Sequence, residues 1–373
     1  MNSILGCAGW CDAARRDLER ELVESITLQG PVCSSDWHRG PVWALDADPV
    51  EQRFLLSGGT DRVLHVTDTR NTTPWKPICS SSEAHEAGIS SVQWFPFDSG
   101  SFVSSGLDDL VRLWDTNFMR PVLTFHSRKE ALLLNESSGS PGDVGCLQAR
   151  FSPIASHLLI ACANQGVQQV RICDPRTGGS THQLSGHTRG VTCLDWSSSN
   201  EFMLFSGSRD KTIRVWDIRR PGALACLDEF NQVIDPTAGS TAHAFRLISL
   251  KALNSGGHLL SGASDGSLHL WDTDVLERLP ARFAQTRSKR PRFCVTSNSR
   301  FIFYAHGEEI LVFETESGEL VKVLTELGLY SIAGLCFLDY EEVLLSSDSR
   351  GLLLSWSSNR ERLQVESRGK LSS

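Results

Sequence analysis

An all-β, seven-bladed propeller with a short N-terminal helical extension is the fold this 373-residue sequence predicts. Three observations predict it. A Trp-Asp pair, or a pair standing in its place, recurs seven times. A His lies 28 or 29 residues before four of these positions, and the intervals between them hold short strand-like runs separated by turn residues. A four-stranded sheet with two apolar faces cannot bury both alone, so neighbouring sheets must cover them, and a closed ring does this for every unit.

Residues 1–21 lie ahead of the ring. Leu5, Trp10, Leu18 and Leu22 are the apolar positions there, and Asp12 can cap a helix from Ala13 to Glu21. Glu24-Ser-Ile-Thr-Leu28 alternates and is expected to supply the outer strand of blade seven, so that both chain ends close the ring and leave no open edge. The division expected is 1–21, an N-terminal helical segment; 22–358, the propeller; and 359–373, a C-terminal tail.

The fourth unit is the clearest. Val191 to Trp196 alternates as an inner strand should, Phe202 to Ser206 reads as the second strand, and Gly207 to Asp210 as a tight turn. Thr212 to Trp216 reads as the third strand and Ala223 to Cys226 as the fourth. The seven Trp-Asp positions are Thr67-Asp68, Trp114-Asp115, Cys173-Asp174, Trp216-Asp217, Trp271-Asp272, Phe313-Glu314 and Trp356-Ser357. Two intervals are long, at 59 and 55 residues. They hold polar insertions at 127–145 and 228–241, each joining an outer strand to the next inner strand.

Four units keep a His, a Ser and an Asp at fixed offsets. These are His38, Ser57 and Asp61; His85, Ser104 and Asp108 with Trp114; His187, Ser206 and Asp210 with Trp216; and His243, Ser261 and Asp265 with Trp271. Units three, six and seven carry Val167, Gly307 and Arg350 where the Asp would stand. Over residues 38–357 this layout resembles the WD40 family. The resemblance implies that each set is a buried hydrogen-bonded tetrad. Burying a carboxylate is costly unless it is paired, and a His, a Ser and an indole N–H can supply the bonds. The same residue types could suggest a catalytic triad. Four copies at one spacing are what a fold needs and an active site does not, so no enzyme activity is expected.

Composition agrees with an ordinary soluble globular chain. Hydrophobic residues are 40% and charged residues 21%. The net charge of -8 argues against a nucleic-acid polyelectrolyte. No apolar run approaches the ~18 residues of a membrane span, and the N-terminus lacks the pattern of a signal peptide. Cys146, Cys193, Cys294 and Cys336 fall in apolar strand-like runs. Cys7 and Cys11 are the only close pair, without a second pair or a neighbouring His, so no metal site and no cofactor are expected.

Function is expected at the Arg two places after the repeat's Asp. Asp217-Ile218-Arg219, Asp68-Thr69-Arg70 and Asp174-Pro175-Arg176 share this spacing. Such ends resemble the signature of WD40 proteins that dock onto the adaptor of cullin-4 ubiquitin ligases. The Arg would sit at the corner between third and fourth strands, where a guanidinium fork can bond a partner as Lys cannot.

The wider pattern resembles the Cockayne syndrome A (CSA) family. It is carried by Gly40 to Pro49 and Leu56 to Asp61, by Ser91 to Pro96 with Phe102 to Ser105, and by Val215 to Arg220. Thr241-Ala-His243 and Glu314 to Glu319 follow in order. The chain departs from that family at 127–145 and lacks a long acidic tail. The resemblance implies a substrate receptor of a cullin-4 RING ligase in transcription-coupled nucleotide excision repair, part of the DNA damage response in the nucleus. Leu5, Trp10, Leu18, Asp68, Arg70, Arg176, Asp217 and Arg219 would hold the damaged-DNA-binding adaptor protein, and through it cullin-4 and the RING subunit. Partners implied on the other face are repair and transcription factors such as the Cockayne syndrome B protein and stalled RNA polymerase II. The alternative is a generic propeller scaffold for histones or complex assembly, unrelated to ubiquitin. Arg282, Arg287, Lys289, Arg290 and Arg292 form a basic link that fits a short nuclear-import pattern or a solvated loop. Without an aromatic platform beside it, direct DNA contact is not expected.

Overall fold

The structure is a computed structural model describing residues 15–33, 37–71, 74–127, 145–154, 158–231, 241–254, 257–284, 292–326 and 330–358. Its strands form seven antiparallel sheets of four, arranged as successive blades. Strands within a blade are lettered a to d from the centre outward. Strand b is buried along nearly its whole length, as in Met203–Ser208, because the neighbouring blades cover both of its faces. Its apolar run is therefore continuous where an edge strand would alternate.

Seven apolar clusters account for the core, and each straddles one pair of neighbouring blades. Trp216, for example, is fully buried and packs with Ala161, Val170 and Ile172 of blade three. No blade has a core of its own, so the ring is stabilised as a unit.

Both chain ends build blade seven. Ile332–Leu338, Val343–Asp348 and Leu353–Ser358 supply strands a to c, and Ile26–Pro31 pairs antiparallel with the last of these as strand d. This strand begins two residues later than expected and runs further. A helix over residues 15–25 precedes it, ending where the Ser25 hydroxyl bonds the Leu22 carbonyl at 2.7 Å. The helix therefore crosses the boundary placed between residues 21 and 22. Past Leu28 the pairing shifts by a bulge, and Gly30 takes φ 126°, which carries the strand on to Pro31.

Blade four follows the expected order with small shifts. Strand a is Val191–Trp196, as read. The turn expected over Gly207 to Asp210 lies later, because Ser208 stays paired with Val191 and bonds the Arg189 and Gly190 carbonyls through its hydroxyl. Lys211, at φ 73°, turns the chain into strand c, Ile213–Asp217. Arg62, Asp109, Gly266 and Gly351 hold the same left-handed position in other blades. Strand d begins at Ala225, since Gly222, at φ 81°, keeps Ala223 and Leu224 in the turn.

Candidate protein-docking site

The ring has two faces of different construction. One carries the d-to-a crossings and the b-to-c turns, and the other carries the a-to-b and c-to-d turns. The His, Ser and Asp sets lie at the crossing face; the Asp-x-Arg corners lie at the turn face.

In blade four, His187 Nδ1 meets Asp210 at 2.9 Å and Nε2 meets the Ser206 hydroxyl at 2.7 Å, to which the Trp216 indole also donates at 2.7 Å. Asp210 accepts further bonds from the backbone N–H groups of Thr188 and Thr212 and from the Thr212 hydroxyl. Burial opposes its ionisation, but the bonds from His187 and Thr212 outweigh it and hold the carboxyl below the usual range. Blade two repeats the arrangement with His85, Asp108, Ser104 and Trp114. Every acceptor is used in tying a b-to-c turn to the crossing beside it, which is a structural task.

Two blades depart from this. In blade one, His38 bonds Asp61 and Ser57, but Thr67 fills the Trp position and its buried hydroxyl has no hydrogen-bond partner among the described residues. In blade five, His243 does not bond Asp265 directly. Its Nδ1 meets the Ser267 hydroxyl at 2.9 Å, and Ser267 donates to Asp265 at 2.8 Å. The four-residue set read from sequence is thus a five-residue relay. His243 also stacks on His269 at 4.0 Å. Desolvation, then the charges of His269 and Arg278, push the His243 pKa well down.

Sequence reading missed part of this face. Blade seven keeps a Ser346–Trp356 bond of 2.8 Å, and the signal was present, since Ser346 stands the usual ten residues before the Trp. Blade three replaces the set with buried Asn164, which donates to Asp109 at 2.5 Å and Ser127 at 2.7 Å of blade two. No repeat spacing announces it.

On the turn face the three arginines differ. Arg219 forms a two-pronged pair with Asp217, Nε to Oδ1 at 2.9 Å and an Nη to Oδ2 at 2.8 Å, and lies 4.1 Å over the Phe202 ring. Its bond holds the Asp217 carboxyl down to about 2. Arg176 makes one longer contact, 3.3 Å to Asp174. Arg70 does not pair with Asp68 through its side chain. Arg53 takes that carboxylate at 2.9 Å, while Arg70 bonds the Glu51 carbonyl and reaches the Tyr340 ring at 5.9 Å. Phe202 and Arg53 went unread because they reach the corner across the strand pairing.

The helix over 15–25 lies on this same face. Glu19 pairs with Arg300 and Asn298 at the a-to-b turn of blade six, and Arg20 meets Glu319 of its c-to-d turn at 3.1 Å. Val23 is buried, and Leu18 is 56% exposed. Leu5, Trp10, Cys7 and Cys11 lie outside the described residues, as does the tail. So do most of the 127–145 insertion and 232–240 of the second. The basic link is divided: Arg292 lines the central channel, Arg282 packs its backbone against Gly318, and Arg287, Lys289 and Arg290 are outside the described residues. Phe283 packs edge-on to Phe313, and Phe293 begins strand a of blade six.

Comparison with known proteins agrees with this architecture. The WD domain, G-beta repeat, matches residues 75–115, 178–217 and 236–272. The WD repeat-containing protein ATCSA-1 of Arabidopsis thaliana is 28% identical, over 86% of this chain and 86% of its own length. A ribosome biogenesis protein WDR12 homolog of Aedes aegypti is 24% identical, over 59% of this chain and 49% of its own. Histone acetyltransferase type B subunit 2 of Debaryomyces hansenii is 25% identical, over 50% of this chain and 43% of its own.

Proposed function

We propose that this seven-bladed propeller of WD40 repeats is a non-catalytic substrate receptor of a cullin-4 RING ubiquitin ligase. It would act in the nucleus in transcription-coupled nucleotide excision repair. One observation carries the reading most: the N-terminal helix and the Asp-x-Arg corners share the turn face, and the Arg219 guanidinium is exposed there yet held in place by Asp217 and Phe202. An arginine fixed before binding loses little freedom on docking, which favours a partner contact over a solvated surface charge. The turn face then binds the damaged-DNA-binding adaptor, which brings cullin-4 and the RING subunit. The crossing face is left to repair and transcription factors, among them the Cockayne syndrome B protein and stalled RNA polymerase II. The similarity to ATCSA-1 over 86% of both chains supports this choice within the repeat class. The receptor would contribute proximity and orientation, with the transfer chemistry in other subunits.

Co-purification with recombinant adaptor tests the reading. The unaltered protein is expected to retain adaptor and cullin-4, and an Arg176→Ala, Arg219→Ala double variant to lose most of both. Deleting residues 1–21 would cut the helix in its middle, so removing 1–14 is the cleaner companion. Retention of adaptor by the double variant without residues 1–14 would sink the docking model. A stable complex with histones and no adaptor would favour the assembly-scaffold reading that the histone acetyltransferase subunit suggests.

A further inference from the structure

The helix over residues 15–25 does not pack flush on the ring. Between it and the a-to-b turns of blades six and seven lies a cavity of about 250 Å³. Leu22, Val23 and Ile26 line it from the helix and the strand that follows, and Phe301 and Phe337 line it from the blades. Asp339 and Glu342, of the turn between strands a and b of blade seven, also line it. Asp339 accepts the Ser297 N–H at 2.8 Å and pairs with no cation among the described residues. An apolar hollow bordered by carboxylates suits a segment that brings an apolar side chain and a cation together.

Blade six already grips the helix. Glu19 bonds Arg300 and Asn298, Arg20 meets Glu319, and Lys322 donates to the Ile26 carbonyl at 2.6 Å where the helix has ended. On the side of blade seven the helix faces the cavity. The described residues stop here twice. Arg15 lines the cavity, and so does Ser358, the last residue of strand c in blade seven. Two stretches can therefore reach it. Residues 1–14 have the apolar Leu5 and Trp10, but their only charged side chain is Asp12, of the same sign as Asp339. Residues 359–373 carry Arg360, Arg362, Arg368 and Lys370 against Glu361 and Glu366, in a chain whose net charge is -8. Charge complementarity selects the second stretch. Its first apolar residue, Leu363, is five positions past Ser358 and next to Arg362. An extended chain spans roughly 3.3–3.6 Å per residue, so that distance is ample to cross the cavity.

We infer that residues 359–365 strap the N-terminal helix to the ring, with Leu363 in the cavity and Arg360 and Arg362 at the acidic turn beside Asp339. The leucine would withdraw its surface from water against Phe301 and Phe337, and a guanidinium fork matches a carboxylate. The helix is then held by both blades it lies between, by blade six through ion pairs and by blade seven through the tail. The inference is independent of the ligase reading, since its readout is the helix and no adaptor contact enters it.

Hydrogen exchange read by mass spectrometry, on the full chain and on one ending at Ser358, tests it. Removing residues 359–373 should speed exchange of the amides of residues 15–26 by about tenfold, while the b strands stay as protected as in the parent. A labelled peptide of residues 359–373 should bind the shortened chain saturably in fluorescence anisotropy and restore the slow exchange. A scrambled peptide of the same composition should do neither. In the full chain, Leu363→Ser should reproduce most of the faster exchange. Asp339→Asn, which keeps an acceptor for Ser297, should weaken binding of the tail peptide to the shortened chain by about threefold. Unchanged exchange in both the shortened chain and Leu363→Ser, no binding of the tail peptide, or equal binding of the scrambled one would each overturn the proposal. So would faster exchange that follows loss of residues 1–14 and not of the tail, which would give the cavity to the N-terminal segment.

Discussion

Blades one and four carry the same letters and build different sites. Each has the His, the Ser and the Asp at the crossing face and an Asp-x-Arg at the turn face. In blade four, Trp216 closes the crossing-face set through Ser206, and Arg219 is clamped to Asp217. In blade one, Thr67 leaves Ser57 without an indole donor, and Arg53 takes the Asp68 carboxylate and displaces Arg70 toward Tyr340. A repeat fixes where the backbone puts a residue. What the residue then does depends on neighbours that the repeat does not specify.

The largest expected difference is in stability. Trp216→Ala removes a fully buried indole that packs against blade three and bonds Ser206, so it should cost about 3–5 kcal/mol. Thr67→Ala, at the matching position, should cost about 1 kcal/mol or less, because far less apolar surface is withdrawn. Urea unfolding of both variants measures the gap, and similar losses would mean that the two blades are equally dependent on this position.

The turn face should show the next largest contrast. Arg219→Ala is expected to weaken adaptor binding by about tenfold, the scale of one well-held charged contact. Arg70→Ala should have a smaller effect, because its guanidinium is held by a carbonyl and an aromatic ring and not by the corner carboxylate. Titration calorimetry with purified adaptor compares them. A greater loss at Arg70 would show that the clamp by Asp217 does not mark the docking arginine.

A third contrast is in pH. Two residues before the Trp position, blade four has Arg214, and blade one has His65. Burial, followed by the nearby His38, pushes the His65 pKa from 6.5 down to about 4, although its Nε2 meets the Trp37 carbonyl at 2.9 Å. The unfolded chain therefore takes up a proton at higher pH than the folded one. Stability from the neutral imidazole is present above pH 6.5 and is lost as pH falls toward 4. His65→Gln should flatten the fall in melting temperature across that window. His269 in blade five, lowered to about 4 by burial and then by Arg278, should add to the same slope. An unchanged slope in a His65→Gln, His269→Gln double variant would show that other groups govern it.

How much of this was legible follows from what each feature depends on. The blade count, the strand order and the borrowed outer strand came from spacing and alternation, which the backbone of a propeller imposes on every unit. Strand ends were read two residues off in blade four because Ser208 keeps its ladder pairing through side-chain bonds that no propensity encodes. Asp265 was assigned to His243 by spacing, yet Ser267 sits between them. Arg70 was grouped with Arg219 by spacing, yet Arg53, fifteen residues from Asp68 in sequence, decides its position. Arg292 was grouped by sequence with the basic link, yet it lines the central channel among residues of every other blade, which only closure of the ring brings together.

The smallest prediction returns to Thr67. Its side chain is fully buried, and its hydroxyl has no hydrogen-bond partner among the described residues, so the polar group is desolvated without compensation. Valine has nearly the same shape and no hydroxyl, and its branched Cβ suits a strand. Thr67→Val should therefore raise stability by about 1 kcal/mol, whereas Thr67→Ala lowers it. The paired substitutions separate shape from polarity at one position. A stabilising Val would mean that blade one tolerates the loss of its Trp by packing alone. A destabilising Val would mean that the hydroxyl finds a partner, a bound water between it and Ser57 being the simplest, and that blade one rebuilds with solvent the bond that Trp216 makes directly in blade four.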